Sequence, residues 1–279
     1  MQIGFIGSGR MCASFSGYLQ TCPVSSVGTL TKADLYLNFT QRKVNTKTLG
    51  PFLRACDIVF LTVQDDAILP AAEDIAHSGV DFSDCIFCHM SGSLSSDALL
   101  PLSESRGIFS LHTMTSLTGG YVDFSNVLCT LQGDGPGLPV IHEFIKLTRL
   151  TAVPIKKEDK LLYHAASCFC ANFFLPLVDT AKQIYNRIGF SEADADALML
   201  PLLAQVLENL RQNGTAKALT GPFSRGDCET IQKHITCLEK RMPEYAELYR
   251  HMGRLTAAFA AENGMLSQDK KQRIDEILS

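Results

Sequence analysis

Residues 3–12 read IGFIGSGRMC, and this stretch decides the fold of the first half of the chain. The apolar run Ile3–Ile6 is typical of a buried strand, and the apolar residues after it recur at the spacing of a helix. The turn between them matches the first two glycines of the G-x-G-x-x-G/A pattern, of which the first permits a tight turn and the second lets the backbone approach a pyrophosphate. Cys12 stands at the third position of the pattern and is small enough for close packing. Because the start of a helix offers free N–H groups to an anion, we predict cofactor contacts from Gly7, Ser8, Gly9, Arg10 and Met11.

An alternation of strands and helices continues from this turn to residue 155. Further runs with strand character occupy Val24–Leu30, Asp57–Val63, Cys85–Met90, Ile108–His112, Asn126–Leu131 and Leu150–Ile155. Such alternation predicts a doubly wound parallel sheet with helices on both faces, so residues 1–155 are predicted to form an α/β Rossmann dinucleotide-binding domain. Ligands bind at the carboxyl ends of the strands in this fold. The residues that end one buried strand are therefore further predicted cofactor contacts: Thr62, Val63 and Gln64.

Two local features of this half are also predicted. Asp66 follows a strand and precedes a helical pattern, so it is predicted to cap that helix. Gly133–Gly137 contains three glycines and a proline and is predicted to form a loop.

The end of the second strand predicts which dinucleotide is bound. NAD-binding proteins of this fold place an acidic residue there to hold the ribose 2′-hydroxyl. Thr31 and Lys32 stand there instead, and a hydroxyl beside a cation favours the 2′-phosphate of NADP(H). A second interpretation places the strand at Leu35–Phe39, with Thr40 and Arg42 beyond its end. Both interpretations put positive charge near the strand end, so both predict NADP(H).

Composition limits the class of protein. With 279 residues, 46% of them apolar and 19% charged, the chain is typical of packed globular domains rather than of a disordered segment. A net charge of −4 without a basic patch argues against nucleic acid as a partner. Ten scattered cysteines and an N-terminus without signal-peptide features predict reduced thiols and a cytoplasmic location. No apolar run of the roughly 20 residues that cross a membrane is expected, and hence no membrane partner.

The second half is predicted to be helical throughout. Long helical patterns cover Lys160–Ile188, Glu192–Gln212, Cys228–Leu238 and Glu244–Ala261, and a charged amphipathic stretch at Ser267–Leu278 is predicted to form a solvated terminal helix. Residues 156–279 are therefore predicted to form a helical domain.

The first of these helices begins with KLLYHAASCFCAN at residues 160–172. Because a helix turns about 100° per residue, Lys160, His164 and Ser167 share one face, with Asn172 close to the His164 side. An ammonium, an imidazole and a hydroxyl at the junction of two domains suggest a catalytic stripe. The alternative is a solvated lysine and a packed histidine.

A half-site for zinc is present in the first half. Cys85-x-x-Cys88-His89 has ligand spacing, but no second pair follows, and three nearby strand residues cannot all face one ion. No metal is predicted.

The loop Leu219–Asp227, LTGPFSRGD, places an arginine between two helices. Arginine is suited to bidentate binding of a carboxylate, so Arg225 is a candidate for substrate binding. The alternative is a structural pair of Arg225 with Asp227, which would cap the next helix.

Several stretches together resemble a known family. They are IGFIGSG, HMSGSLSSD, SLHTM, YHAAS with Asn172, and ALTGPFSRGD followed by TIQKH. The chain resembles the two-domain Rossmann-like proteins whose helical C-terminal domain was formerly of unknown function, within the 6-phosphogluconate dehydrogenase-like group that includes pyrroline-5-carboxylate reductase. Some members look like an alternative type of ketopantoate reductase that acts in pantothenate biosynthesis. The chain departs from the family pattern at Cys12, at Gln64 and at Thr113, where a small residue and two prolines are common.

The resemblance implies an NADP-dependent reductase, dimeric through its helical domain, that converts a small 2-oxo acid such as ketopantoate to its hydroxy acid. The implied catalytic residues are Lys160, His164 and Asn172, with Lys160 donating a proton or stabilising the alkoxide and His164 orienting or replacing it. The implied substrate contacts are Ser91, His112, Ser167 and Arg225. Two other functions stay open, a reductase of a cyclic imine and a non-catalytic NADP-binding protein.

Overall fold

The computed structural model describes residues 1–279, which form two compact units, Met1–Asn172 and Phe173–Ser279. The first unit is built on a seven-stranded sheet and the second is all helical, which confirms the predicted fold class. The boundary between the compact units falls after Asn172 rather than at residue 155, because the helix that begins at Lys160 packs on the sheet.

The first unit contains all seven predicted strands, with shifted bounds. The strands are β1 (Gln2–Ile6), β2 (Ser25–Leu30), β3 (Tyr36–Asn38), β4 (Lys43–Val44), β5 (Ile58–Leu61), β6 (Ile86–His89), β7 (Gly107–Thr113), β8 (Leu128–Asp134) and β9 (Thr151–Pro154). The α-helices are α1 (Arg10–Leu19), α2 (Lys32–Leu35), α3 (Thr46–Ala55), α4 (Asp65–Ala76), α5 (Leu138–Leu147) and α6 (Lys160–Cys170). Short 3-10 helices span Ser96–Leu102 and Lys157–Asp159.

The main sheet has the order β2-β1-β5-β6-β7-β8-β9, and β3 and β4 form a separate ribbon. The prediction of a wholly parallel sheet is wrong at β8, which pairs antiparallel with β7. The connection between these strands, residues 114–127, contains no helix, and parallel neighbours need a crossover connection that is usually helical. Strand β8 also extends to Asp134, so Gly133 and Asp134 are not part of the predicted loop.

Both faces of the sheet are buried under helices. Successive strand residues point to opposite faces, so neighbouring residues join different cores. Phe60 joins a core under α1 and α5, whereas its neighbour Val59 joins a core under α3 and α4. The same alternation puts Cys88 in the first core and Cys85 in the second. No group of three His, Cys, Asp or Glu side chains is arranged to hold a metal ion.

The two interpretations of the second strand both find a counterpart. The strand next to β1 is Ser25–Leu30, so Thr31 and Lys32 do follow its end. The competing stretch contributes Tyr36–Asn38 to the short antiparallel ribbon, and this ribbon carries Arg42.

The second unit contains no strand, as predicted. Its helices are α7 (Phe174–Arg187), α8 (Glu192–Ala218), α9 (Pro222–Arg225), α10 (Cys228–Arg241), α11 (Ala246–Glu262) and α12 (Gln268–Ile277), with a 3-10 turn at Pro243–Tyr245.

The predicted continuous helix Lys160–Ile188 is wrong, because the chain leaves the helix at residues 171–173. Pro176 explains the break: it lacks an N–H group, and its ring would clash with the carbonyl of Asn172 in a continuous helix. Gly214 interrupts α8 with a φ of 74° just after the predicted helix end at Gln212, but the helix resumes and continues to Ala218.

The terminal helix α12 is part of the core of the second unit rather than a solvated tail. Ile274 and Leu278 are fully buried and pack with Ile231 and Ala257. The predicted cap of α10 is confirmed, because the Asp227 carboxylate accepts a hydrogen bond from the Thr230 backbone N–H at 3.1 Å.

Helices α7 and α8 expose much of their apolar surface. No residue of α7 is buried, and only Ala195 and Met199 are buried among the 27 residues of α8. Leu175 and Leu200 are 65% and 59% exposed. The stretch Lys157–Arg187, which contains α6, α7 and the turn between them, is long and apolar enough to cross a membrane, which corrects the prediction that no such run exists. Length and composition alone do not distinguish a membrane span from an interface helix.

Candidate active site

A cavity of about 590 Å³ lies at the glycine turn. It is lined by the ends of β1, β2 and β5 and by the starts of α2 and α4. Eight predicted cofactor contacts line this cavity: Gly7, Ser8, Gly9, Thr31, Lys32, Thr62, Val63 and Gln64.

The turn has the geometry that its glycines predict. Gly7 has a φ of 107°, and a Cβ there would lie 2.8 Å from the carbonyl carbon of Thr62. A Cβ at Gly9 would meet only the Thr62 carbonyl oxygen, at 3.7 Å, so this position is open towards the cavity. No side chain caps α1, which leaves the N–H groups of its first turn without side-chain partners. The turn can therefore receive an anionic group.

The remaining predicted contacts of the turn lie elsewhere. Arg10 and Met11 do not line the cavity: Arg10 donates a hydrogen bond to the Leu117 carbonyl oxygen at 3.3 Å, and Met11 packs against the core. Cys12 is buried, with its Sγ 3.4 Å from Thr29 Oγ1. Cysteine therefore fills the position that the pattern reserves for a small residue.

Two cations face the cavity, and they differ in their surroundings. Arg42 is paired with Asp74 at 2.8 Å and lies 3.6 Å from Glu73. Lys32 has no carboxylate partner, and its Nζ lies 3.0 Å above the ring of Phe39. Lys32 is therefore the cation whose charge is available to a ligand.

The polar groups of Thr31 make hydrogen bonds within the start of α2. Its backbone N–H and its hydroxyl donate hydrogen bonds to Asp34, at 2.9 and 2.6 Å, and these bonds lower the pKa of the Asp34 carboxyl. Thr31 and Asp34 thus form the capping box of α2, and the Asp34 carboxylate is bound by Thr31.

The turn after β6, Ser91–Ser93, is held by a carboxylate. Asp65 accepts hydrogen bonds from the hydroxyls of Ser91 and Ser93, at 2.6 and 2.9 Å. The prediction that Asp66 caps α4 is wrong: the cap position is Gln64, and Asp66 lines the cavity without capping. The helix begins two residues earlier than predicted, so Asp65 lies in its first turn and reaches the turn after β6.

His89 fixes the same turn from below. It is fully buried, its Nδ1 accepts a hydrogen bond from the Ser91 backbone N–H at 3.2 Å, and its Nε2 lies 2.9 Å from the Ser95 carbonyl oxygen. Nε2 must therefore carry the proton. Burial lowers the pKa of His89 to about 4, so His89 is a neutral structural side chain.

Lys160 is only 1% exposed. Its ammonium donates hydrogen bonds to the Ser91 carbonyl oxygen, at 3.0 Å, and to the Ser110 hydroxyl. Burial lowers its pKa to about 8. Sequence periodicity put Lys160 on the same helix face as His164 and Ser167. In the structure its N–H groups donate to the turn rather than to open space, and the alternative of a solvated lysine is wrong.

Three side chains converge above this turn. His112 Nδ1 lies 2.8 Å from the Tyr163 hydroxyl, and the rings of His112 and His164 are 6.4 Å apart. A Cβ at Gly92 would lie 2.6 Å from His164 Cδ2 and 2.9 Å from His112 Nε2. The absence of a side chain at Gly92 is therefore what lets both imidazoles approach the turn.

The other predicted site residues are more peripheral. The Ser167 hydroxyl donates a hydrogen bond to the Tyr163 carbonyl oxygen at 3.2 Å. Asn172 is exposed in the turn after α6, outside the helix that was predicted to hold it. Arg225 is an exposed residue of the second unit and has no ion pair, so the predicted pair with Asp227 does not form.

Sequence reasoning missed Tyr163, Asp65, Ser110 and Thr130. A signal for two of them was present: β7 and β8 alternate polar and apolar residues, and cross-strand pairing puts Ser110 and His112 beside Gln132 and Thr130 on one face. Helix α6 covers this polar face. A strand face that is buried only for packing would carry apolar residues instead.

The sheet order, the glycine turn and the all-helical second unit define a two-unit Rossmann-like protein. Residues 127–256, from just before β8 into α11, are similar to the family described as Domain of unknown function (DUF2520). No curated protein sequence matches the chain.

Solved structures with the same fold include three of interest. Protein TM1727 from Thermotoga maritima has a TM-score of 0.67 and 22% identity, over 93% of this chain and 98% of that chain. The 1-pyrroline-5-carboxylate reductase from Streptococcus pyogenes has a TM-score of 0.60 and 12% identity, over 99% and 98% of the two chains. The reductive aminase from Aspergillus terreus in complex with NADPH and ethyl levulinate has a TM-score of 0.63 and 12% identity, over 99% and 98%. At these identities the similarity establishes the shared fold.

Proposed function

We propose that this chain is an NADP(H)-dependent reductase of a small carbonyl or imine substrate. One observation carries the proposal: the cavity lies at the carboxyl ends of β1, β2 and β5, and the two imidazoles converge at Gly92, just beyond the carboxyl end of the adjacent strand β6. Doubly wound sheets bind ligands at this edge. The shared fold of a pyrroline-5-carboxylate reductase and of an NADPH-bound reductive aminase supports the same reaction class.

The residues around the cavity fit this cofactor. The open position at Gly9 and the uncapped start of α1 suit a pyrophosphate. Lys32 suits a 2′-phosphate, because its charge has no carboxylate partner. Arg42 is a weaker candidate, since Asp74 and Glu73 already offset its charge.

Bound NADPH would supply a hydride to the substrate carbon. The substrate oxygen then gains negative charge and needs a proton. Lys160 is buried under the turn and holds Ser91 in place, so we assign it to positioning rather than to proton donation. His164, half-buried beside Gly92, is the residue we assign as proton donor, and His112 stabilises the same oxygen.

The substrate that we propose is a 2-oxo acid, with ketopantoate as the leading candidate and pantoate as its product. The stretches YHAAS and LTGPFSRGD support it through the family resemblance. Arg225 is exposed and without an ion pair, as a residue that binds a carboxylate requires. Ser167 and Asn172 are proposed to contact the rest of the substrate.

A cyclic imine is the second candidate substrate, because it is the substrate type of one protein that shares the fold. An imine can enter already protonated and needs no proton donor. A pair of imidazoles at the turn therefore favours the oxo acid.

The test is a turnover assay on the full-length chain. NADPH oxidation is followed at the absorbance band of reduced nicotinamide with ketopantoate, other 2-oxo acids and pyrroline-5-carboxylate. We expect the largest kcat/KM with ketopantoate. Turnover of pyrroline-5-carboxylate alone would select the imine reductase, and NADPH binding without any turnover would select a non-catalytic protein.

His164→Ala is the variant that tests the proton donor. We expect kcat to fall about a hundredfold, which is typical for loss of a general acid. His142→Ala is the matched control, because His142 is exposed on α5 and away from the cavity. Equal activities of the two variants would contradict the assignment of His164.

We also propose that the chain forms a homodimer through the helical unit. Apolar surface this exposed on a pair of helices indicates an interface, and the same apolar face of a second copy would bury it. Charged residues interrupt the same helices: Lys182 forms ion pairs with Glu192 and Asp196 at 2.7 and 2.9 Å. Such charges are expensive in lipid, so a second copy fits the face better than a membrane does.

Sedimentation of the double variant Leu200→Asp/Leu202→Asp tests the dimer. We expect a dimer for the unmodified chain and a monomer for the variant. The control is Leu100→Asp, at an exposed apolar residue of the first unit. Binding of the unmodified chain to lipid vesicles, or dimers from all three proteins, would contradict the proposal.

A further inference from the structure

The contact between Tyr163 and His112 has no part in the roles assigned above. We propose that Tyr163 is a positioning residue: its hydroxyl fixes His112 in the tautomer that carries the proton on Nε2, so that a neutral His112 donates a hydrogen bond to the substrate oxygen. The role in turnover rests on the proposed reductase function, whereas the tautomer is a property of the protein alone.

His112 is held in its neutral form. Burial lowers its pKa to about 4, and the positive charge of Lys160 adds to this effect. A neutral imidazole has one bare nitrogen and one N–H group. The partner of Nδ1 therefore decides what Nε2 can do.

The direction of the Tyr163–His112 hydrogen bond depends on where the hydroxyl protons of Tyr163 and Thr130 lie. Burial raises the pKa of Tyr163, so its hydroxyl keeps its proton. Thr130 Oγ1 is buried and makes no hydrogen bond of regular geometry, but its interaction with the Tyr163 hydroxyl lowers the pKa of Tyr163 and partly offsets the effect of burial. The Tyr163 oxygen is the acceptor to which the Thr130 hydroxyl can donate.

Only one of the two arrangements gives the buried Thr130 hydroxyl an acceptor. If Thr130 donates to the Tyr163 oxygen, Tyr163 donates to His112 Nδ1 and the imidazole proton lies on Nε2. In the reverse arrangement, His112 donates to Tyr163 and Tyr163 donates to Thr130. The Thr130 proton is then buried without an acceptor, which costs free energy in a protein interior.

Nε2 is placed to use its proton. It makes no hydrogen bond with the protein, and it faces the missing side chain of Gly92 at 2.9 Å from the position of a Cβ. Lys160, Ser110 and Ser91 hold the floor of this space. A substrate oxygen above Gly92 would meet Nε2–H without competition from a protein acceptor.

The tautomer can be read directly. Nitrogen–proton correlation spectra of the histidine-labelled full-length chain distinguish the two tautomers and the imidazolium form, and His112→Ala assigns the signal. We expect Nε2–H at neutral pH in the unmodified chain and a mixture of tautomers in Tyr163→Phe. The matched control is Tyr121→Phe, at an exposed tyrosine, which should leave the signal unchanged. A proton on Nδ1 in the unmodified chain, or an unchanged tautomer in Tyr163→Phe, would overturn the proposal.

Kinetics give the second readout. Tyr163→Phe should lower kcat about tenfold, the effect of one hydrogen bond lost in the transition state, with the KM for NADPH unchanged. In the His112→Ala background the same change should have no further effect, because Tyr163 acts through His112. An equal loss in both backgrounds would mean that Tyr163 acts independently of His112. If no substrate is turned over, the proposed function fails and the spectra still decide the tautomer.

Discussion

The buried ammonium of Lys160 should make the stability of this protein depend on pH in a specific window. The unfolded chain holds the Lys160 proton up to the ordinary pKa of 10.5, whereas the folded chain releases it near a pKa of about 8. Between these values the unfolded state binds more protons, so the free energy of unfolding rises as pH increases. The difference between the two pKa values corresponds to about 3 kcal/mol, at ~1.36 kcal/mol for each pH unit.

Lys160→Met tests this reasoning, because methionine keeps the unbranched shape without the charge. Urea unfolding of both proteins, followed by circular dichroism, gives the free energy of unfolding at each pH from about 7 to about 11. Buried thiols and phenols such as Cys129 and Tyr18 also titrate with raised pKa values, but they are common to both proteins. The difference between the unmodified chain and the variant should therefore rise by about 3 kcal/mol between pH ~8 and ~10.5.

Lys157→Met is the control for this measurement. The Lys157 side chain is 61% exposed and pairs with Asp97 at 3.2 Å, on the short helix just before α6. Its difference from the unmodified chain should be nearly constant over the same window. If the Lys160→Met difference is equally constant, the ammonium is not desolvated in the folded chain and the description of the turn given above is wrong.

Three further outcomes are expected. Gly92→Ala should displace both imidazoles, since its Cβ would lie 2.6 Å from the nearer ring; kcat should fall at least tenfold in the turnover assay while NADPH affinity, measured by fluorescence titration, is unchanged. Gly7→Ala should abolish NADPH binding and lower the thermal midpoint, because φ is 107° and the Cβ would lie 2.8 Å from Val63 N; the strain is of order 1–3 kcal/mol, and unchanged binding would refute the assigned turn. Lys32→Ala should weaken NADPH binding by about 1 to 2 kcal/mol, or about 5- to 30-fold, and leave NADH binding unchanged. The control there is Lys43→Ala on the adjacent ribbon, and equal losses for both cofactors would mean that Lys32 does not contact the 2′-phosphate.

Local patterns predicted the elements of the first unit well. Period-two burial and the glycine turn are properties of a few consecutive residues, so β1, β5 and the start of α1 follow from sequence alone. The direction of β8 does not follow in this way. It depends on which strand pairs with β8 and on a connection that contains no helix. The spacing of strands along the chain predicts neither of these two features.

The stripe on α6 shows the same division. Helical periodicity correctly put Lys160, His164 and Ser167 on one side. It could not tell which of them faces a partner group and which faces open space, because the partners come from β6 and β7, far away in sequence. Only packing on the sheet assigns Lys160 to the Ser91 turn.

The sequence by itself determined the glycine turn, the strand that ends at Leu30 and the all-helical second unit, because each is encoded by residues close together in the chain. Only the tertiary structure decided that Arg42 is neutralised by Asp74, that Lys160 is buried under a turn and that Tyr163 contacts His112. These facts depend on pairs of side chains 32 to 69 residues apart. The charge and direction of a polar side chain are set by such distant neighbours, so no reading of its local sequence can supply them.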